Sequence, residues 1–549
     1  DPTAGDEQPL PLFDRLQVTQ GLLRYRDEPY AINTEAHISL KNDTSVSARQ
    51  GTIPASSPAA VGSSQPGNAL QLNATGYYHK LPLKIDLASS GVLPLVNNDV
   101  LAPLQVNLDA TVGSANLLFK GSATDALHLG GLHGRFRVKG PSLAAVGSPL
   151  SVTLPTTPAF LAHGQIDKQG DTSHIVIDDA TVGGSRLNGT FTYEAARKVP
   201  LLSGRLSGPR LLLVDLGPAV GTTPAAPEFA SEPTTSQPRN KSRVLPTRPF
   251  DLASLRVMDA DILIDIEKVD LNTTLLEPLQ PLRGHLLLTG GVLSLNDLNT
   301  HTGEGKLMGN LQLDARGSKA LWNAALHWKA VRLERWIHQK RKNGSPPYIS
   351  GQLNGNMRLK GEGRSTAEIL GSLKGHVRTE LRNGKVSHLG VELAGLHVIE
   401  SLGIFLKGDD ELPVQCAVAD LNAQSGQFRP RVMVVDTTDS AVWVDGSVSL
   451  ATETLDLRAV VTPKDFSPLS LRTPLRVRGT FANPKVSLEN RPLTLKLGRA
   501  LLLSLVNPLA ALIPLVDKGD IEAAKRAASG CQALMQQTKA NLPSTVEQQ

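Results

Sequence analysis

From Gly284 to Gly317 the chain reads GHLLLTGGVLSLNDLNTHTGEGKLMGNLQLDARG: apolar and polar residues alternate, turn, alternate again and turn again. Leu293 and Leu295 fall on one side, with Ser294 and Asn296 on the other. After the turn Leu307, Leu311 and Leu313 share a side opposite Lys306, Asn310 and Gln312. A period of two is that of a β-strand with one dry and one wet face. A helix would repeat its apolar positions every three or four residues. The same writing fills most of the sequence, so the fold has to provide a cover for a very long apolar face.

Short alternating runs follow one another from Phe13 to Leu216, among them LQVTQGLLRY, NALQLNATGYY, LQVNLDATV, GRFRVKG and LNGTFTYEA. Gly, Asn, Asp or Pro separates most of them, the punctuation of antiparallel meanders. Within this first part, 1–217, the insert PASSPAAVGSSQPG reads as a flexible excursion. Residues 218–249 are rich in Pro, Thr, Ser and Ala; with little to bury, they are expected to form a disordered linker or loop. Strand writing returns over 250–490, with two predicted helical interruptions. In VRLERWIHQKRK, Leu333, Trp336 and Ile337 share a helical face; in HLGVELAGLHVIESLGIFLKG, Leu389, Leu393 and Leu396 do. Residues 491–549 change to helical writing. There DIEAAKRAASGCQALMQQTKANL reads as an amphipathic helix opened by Asp520 as N-cap. The apolar run Ala500–Val516 is near the lower length limit for a membrane span, and Pro508 and Pro514 interrupt it. A helical pair over the end of a sheet, or at a membrane surface, fits it better.

Composition narrows the classes. Only 4% of residues are aromatic while 40% are hydrophobic, so the dry face is mainly Leu, Val, Ile and Ala. That suits an aliphatic lining better than an interlocked core, and it argues against a saccharide-binding or saccharide-processing protein, which needs exposed aromatics and paired carboxylates. The net charge is +5, with no dense basic tract, so nucleic acid is not an expected partner.

The sequence carries few motifs of catalytic or metal chemistry. The 13 histidines are scattered. There is no HExxH, CxxC, GxSxG or complete phosphate loop. HTGEGKLMG around Lys306 lacks the first glycine of a phosphate loop and runs into strand writing, so it is read as a hairpin. Asp259, Asp261 and Asp265 share one strand face, which is read as solvated rather than as a cation site. No catalytic residue, metal or cofactor is expected, and the protein is read as non-enzymatic. Two cysteines, Cys416 in strand writing and Cys531 in the helical tail, are either two inert thiols or a clip across a long loop.

Several stretches resemble the AsmA-like family of bacterial envelope proteins: DDATVGGSRLNGTFTY (178–193), LPTRPFDLASLRVMDADI (245–262), LTGGVLSLNDLNTHTGEGKLMGNLQLD (288–314) and VDGSVSLATETLDLRAVVTPKD (444–465), followed by TPLRVRGTFANPKVSLE (473–489). The resemblance implies a mainly β fold: a long curved antiparallel sheet, or β-groove, with an apolar inner face, short interrupting helices and a helical C-terminus. It implies a periplasmic body anchored to the inner membrane. It further implies a role in outer-membrane homeostasis, in which phospholipids move along the groove between the inner and outer membranes. The alternative is an assembly factor for outer-membrane proteins that carries no lipid. Family members begin with an inner-membrane helix. None is visible here and the chain opens in mid-pattern, so the expectation is a fragment whose anchor lies outside it. The similarity to a subgroup with a cysteine on each side of the closing strands implies a Cys416–Cys531 disulfide. On this reading acyl chains cover the dry face, and the groove candidates are Leu293, Leu295, Leu307, Leu311, Leu313, Val442, Val444, Val448, Leu450, Leu455, Leu457 and Val461.

Overall fold

The computed structural model describes residues 18–27, 31–40, 70–90, 103–124, 131–147, 154, 156–216, 244–247, 249–250, 252–271, 273, 276–339, 346–387, 411–464, 474–488 and 531. Among them are 25 strands and three short α-helices. The chain forms two compact units, one of residues 1–208 with 257–262, the other of 209–256 with 263–549.

The first unit carries a meander of ten strands: β1 (Val18–Asp27), β2 (Ile32–Leu40), β3 (Leu70–Tyr78), β4 (Leu81–Ser89), β5 (Leu104–Val112), β6 (Ala115–Thr124), β7 (Gly131–Gly140), β8 (Phe160–Gln169), β9 (Thr172–Val182) and β10 (Ser185–Glu194). Each strand pairs antiparallel with the next. Turn chemistry sets the register. His79 and Lys80, between β3 and β4, both hold positive φ, 47° and 67°. Two left-handed residues in a two-residue loop match the twist of the strands they join. A five-residue helix, α1 (Leu143–Gly147), follows β7.

The boundary between the units falls within β11 (Leu201–Leu212) and β12 (Asp259–Ile266). In the second unit β13 (Val269–Asp270) pairs parallel with Leu211 and Leu212. The main meander then runs β14 (Leu282–Thr289), β15 (Val292–Thr302), β16 (Gly305–Asp314), β17 (Ala320–Arg332), β18 (Ile349–Gly363), β19 (Lys374–Ser387), β20 (Glu411–Gln424), β21 (Gln427–Thr437), β22 (Ser440–Ser449), β23 (Thr454–Pro463), β24 (Leu475–Thr480) and β25 (Asn483–Leu488). All of these neighbours are antiparallel.

The helix expected in VRLERWIHQKRK is a single turn, α2 (Leu333–Trp336). It starts without a side-chain cap at Arg332 and ends where Ile337 bridges Leu276, so sheet pairing takes the residues that periodicity assigned to a helix. The helix α3 (Thr366–Gly371) is properly capped: the Ser365 hydroxyl accepts from the Glu368 N–H at 3.2 Å. The helix expected in HLGVELAGLHVIESLGIFLKG, the excursion at 54–67, most of 218–249 and the tail at 491–549 apart from Cys531 lie outside the described residues.

Within the second unit the sheet curls along part of its length. Val386 on β19 and Val461 on β23 belong to one packed cluster, with Ile349, Leu412, Val414, Val435 and Val442 around them. On a flat sheet, four strand spacings of about 4.8 Å would hold the two apart by about 19 Å. Their contact needs a strong bend toward the apolar side.

Candidate functional site: the apolar face

In an antiparallel pair, residues directly opposite each other share a face. Following opposite partners from strand to strand therefore traces rows across the sheet. In the second unit one such row runs Leu286, Leu295, Leu311, Ala324, Leu359, Gly375, Ala423, Phe428, Val448, Leu455, Gly479 and Pro484, from β14 to β25. No polar side chain interrupts it. The first unit has a row of its own, which runs Gly21, Ile38, Leu72, Leu87, Leu108, Phe119, Phe136, Gly164, Ile177 and Gly189.

Each sequence-selected residue has a definite place on the second unit's apolar side. Leu293 faces Leu313, Leu295 faces Leu311, and Leu307 faces Thr300 and Trp328. Val442 faces Val461, Val444 faces Ala459, Val448 faces Leu455, and Leu457 faces Gly446. Leu450, just beyond β22, packs into a cluster with Trp322, Met357, Leu359, Val377, Ala423 and Phe428. The two groups of candidates, far apart in sequence, thus meet on one face. All are half-buried except Val461, which is only 6% exposed beside Val386.

Glycine on this face has a steric reason. At Gly446, with φ 116°, a Cβ would lie 2.1 Å from the Asp456 carbonyl oxygen, and at Gly375, with φ 139°, 2.1 Å from that of Arg358. Only glycine admits such approach.

A strap and a short helix border one end of the face. Leu252 packs with Ala315 and Ala320, with Phe250, Leu255 and Leu313 beside them. Leu370 and Leu373, at and just beyond α3, join the Trp322–Phe428 cluster. The strap is held at its start by Glu453, whose carboxylate accepts from the N–H groups of Val244 at 2.5 Å and Leu245 at 3.4 Å. Glu453 is 1% exposed, so these charge-assisted bonds offset its burial.

The opposite side is polar and laced with cross-strand pairs. Arg378 donates to Asp420 across β19 and β20 at 3.0 Å, Lys464 is ion-paired with Asp436 at 2.8 Å, and within β19 Arg382 donates to Glu380 at 2.6 Å. On this side Cys416 and Cys531 are joined in a disulfide with Cα atoms 6.2 Å apart. Val418, Val432 and Val434 pack around the bond. The bond therefore ties residue 531 to the side of β20 turned away from the aliphatic rows.

The remaining motifs resolve simply. HTGEGKLMG is the β15–β16 hairpin, with Gly303 and Glu304 both at positive φ. Asp265 is ion-paired with Arg283 at 3.1 Å. Among the described residues no group of three acidic, His or Cys side chains could hold a metal ion, and no helix is long and apolar enough to cross a membrane.

Sequence reasoning missed Trp322, Trp328, Met357, Val377 and Phe428 as members of the apolar face. It also missed the buried acids Glu380, Asp420, Asp436 and Glu453. Alternation through β17–β19 was the available signal for the first set; for the acids there was none, because their burial depends on distant partners.

The AsmA family model matches residues 9–433. The chain is 29% identical over 479 residues to "AsmA family protein YhjG" of Escherichia coli (strain K12), which covers 85% of this chain and 68% of that protein. No solved structure matches.

Proposed function

The chain belongs to the AsmA family, whose membership supports an envelope-associated role, and on that premise we propose that the protein holds or conducts phospholipid acyl chains along its apolar face. The observation that carries this reading is the uninterrupted apolar row from Leu286 to Pro484, with most of its neighbouring side chains half-buried. A sealed core would bury them, and a solvated face would not be apolar. Hydrocarbon supplies what is missing. Each buried methylene is worth about 0.8 kcal/mol, so an acyl chain leaving water gains on the order of 10 kcal/mol. Because one strand's contribution resembles the next, the gain changes little with position, and a chain slides without a deep trap.

On this reading the protein is not an enzyme: nothing along the face needs a shifted pKa, and binding rests on burial. The body works in the periplasm, in association with the inner membrane. Its partners are phospholipids and, through them, the outer membrane, whose homeostasis it supports. The test is extraction of lipid from the purified protein followed by mass spectrometry. Stoichiometric phospholipid is expected; protein that is well folded and lipid-free under gentle purification would sink the proposal.

The cluster around Val386 and Val461 favours a second reading for its own part of the sheet. There the face packs on itself, as it would throughout a purely structural factor acting on outer-membrane protein assembly. Lipid-free protein that still restores outer-membrane protein assembly would support that alternative.

A further inference from the structure

On the polar side of the second unit, cations are generally met by acids. Arg378 faces Asp420 and Arg478 faces Asp456 across their strand pairs, and each pair is hydrogen-bonded at 3.0 Å. Lys385 reaches Glu411 at 2.7 Å. The rule is broken where cation faces cation, at Lys306 with Lys329, Arg458 with Arg476 and Arg478 with Lys485, and also at a pair that lines a hollow without a carboxylate. Lys360 on β18 lies directly opposite Lys374 on β19; on the same face Arg358 lies two residues to one side and Glu362, outside the hollow, two residues to the other. None of these three cations makes an ion pair among the described residues. Opposite side chains on an antiparallel pair start about 4.5–5.5 Å apart at Cβ, and like charges so placed repel. The next position on the strand is about 6.8 Å away.

These three cations line a shallow hollow whose other walls are neutral. The row of opposite partners that ends at Lys360 and Lys374 begins Ser294, Gln312, Asn323. No carboxylate lines the hollow. The first unit supplies the contrast. There Lys120 also lies opposite a cation, Arg135, but its hollow includes Asp86 and Asp109, which offset the charge.

We propose that Lys360, Lys374 and Arg358 form a site for a compact, multiply charged phosphate group, with the Ser294–Gln312–Asn323 row donating hydrogen bonds beside it. The spacing fits one or two phosphates. A guanidinium and two ammonium groups supply donors that point charges alone do not, and bringing an anion between them relieves the repulsion that the free sheet carries. The site lies on the face opposite the apolar rows, so it is independent of acyl-chain binding. The phosphate chemistry is that of either a soluble phosphorylated molecule or a phospholipid headgroup, and the experiment separates them.

Pyrophosphate is titrated into the full chain by calorimetry at low ionic strength, where surface charges are least screened. In parallel, the protein is floated with vesicles of a neutral phospholipid alone or mixed with an anionic one bearing a phosphate monoester. Lys360→Gln and Lys374→Gln are expected to weaken binding by roughly tenfold to a hundredfold, and Lys120→Gln to leave it unchanged. Circular dichroism of all three variants should match the wild type, because the residues are exposed. Saturable pyrophosphate binding with that pattern supports the site and a soluble source. Binding to anionic vesicles alone, lost in the same two variants, supports it with a headgroup as source. Absence of both, or equal loss in Lys120→Gln, overturns it.

Discussion

Val444 on β22 lies directly opposite Ala459 on β23, and Gly446, two residues on, lies opposite Leu457. Small neighbours thus flank a half-buried valine on the aliphatic side. Val444→Asp is expected to strip bound lipid and abolish transfer between vesicles while circular dichroism stays near wild type. The carboxylate can reach water in the empty protein but not beneath hydrocarbon, where an unpaired charge costs several kcal/mol. Unaltered lipid content in folded Val444→Asp protein would count against the conduit.

Val461→Asp should behave differently. Val461 is packed against Val386 and 6% exposed, so the same change places a charge inside a closed cluster. A loss of about 3–5 kcal/mol in urea unfolding is expected. A shift no larger than that of Val444→Asp would mean that the cluster is wet.

The Cys416–Cys531 disulfide closes a loop of 115 residues. In the chain-entropy account this stabilises by about 4–5 kcal/mol. Reduction, or Cys531→Ser, should lower the urea midpoint accordingly and free residue 531 from β20, with little effect on amide exchange in the first unit. A midpoint insensitive to reductant would rule this out.

Glu453→Ala removes the acceptor for the N–H groups of Val244 and Leu245. Leaving donors without partners costs about 1–3 kcal/mol. Hydrogen exchange should quicken first at those two amides and then along the strap near Leu252. Exchange unchanged at Val244 would show that Glu453 does not hold it.

Asp314 in the β16–β17 turn is lowered to about 2, chiefly by the side-chain hydrogen bond from Arg316, and then by that residue's backbone N–H. A depressed carboxyl pKa stabilises above its unfolded value, near 4, and that contribution disappears as pH falls toward 2. The melting temperature of wild type should therefore drop more between pH 4 and 2 than that of Asp314→Asn. The difference should be small and salt-sensitive, because the pair is near solvent. Parallel pH curves would refute the linkage.

Alternation made the strands and their dry side legible in the sequence, because a period of two is a local property. Register was not legible. Between Leu295 and Leu298 the β15–β16 pairing shifts by a bulge at Asp297, where φ is 51° and the N–H donates to the Asn310 side chain. Beyond it Leu298 and Thr300, rather than Asn299, join the face of Leu295. Counting by twos from Leu295 gives the wrong side. A second shift between Phe428 and Val434 does the same in β21. The curl that joins Val386 to Val461 is the sum of many small twists, and no single residue announces it. The Lys360–Lys374 opposition was equally hidden, since it exists only once β18 and β19 are in register.

The row from Leu286 to Pro484 also bears on how such a chain can change its length. Each strand adds one apolar step of about 4.8 Å, and a hairpin adds two. Duplicating or deleting a whole hairpin returns the chain to the same direction with its side chains on the same faces, so the row continues unbroken. Losing a single strand reverses every strand after it, and losing a single residue turns a strand inside out. Reach is therefore adjustable in increments of about 10 Å, with the hairpin as the heritable module, and without any new chemistry on either face.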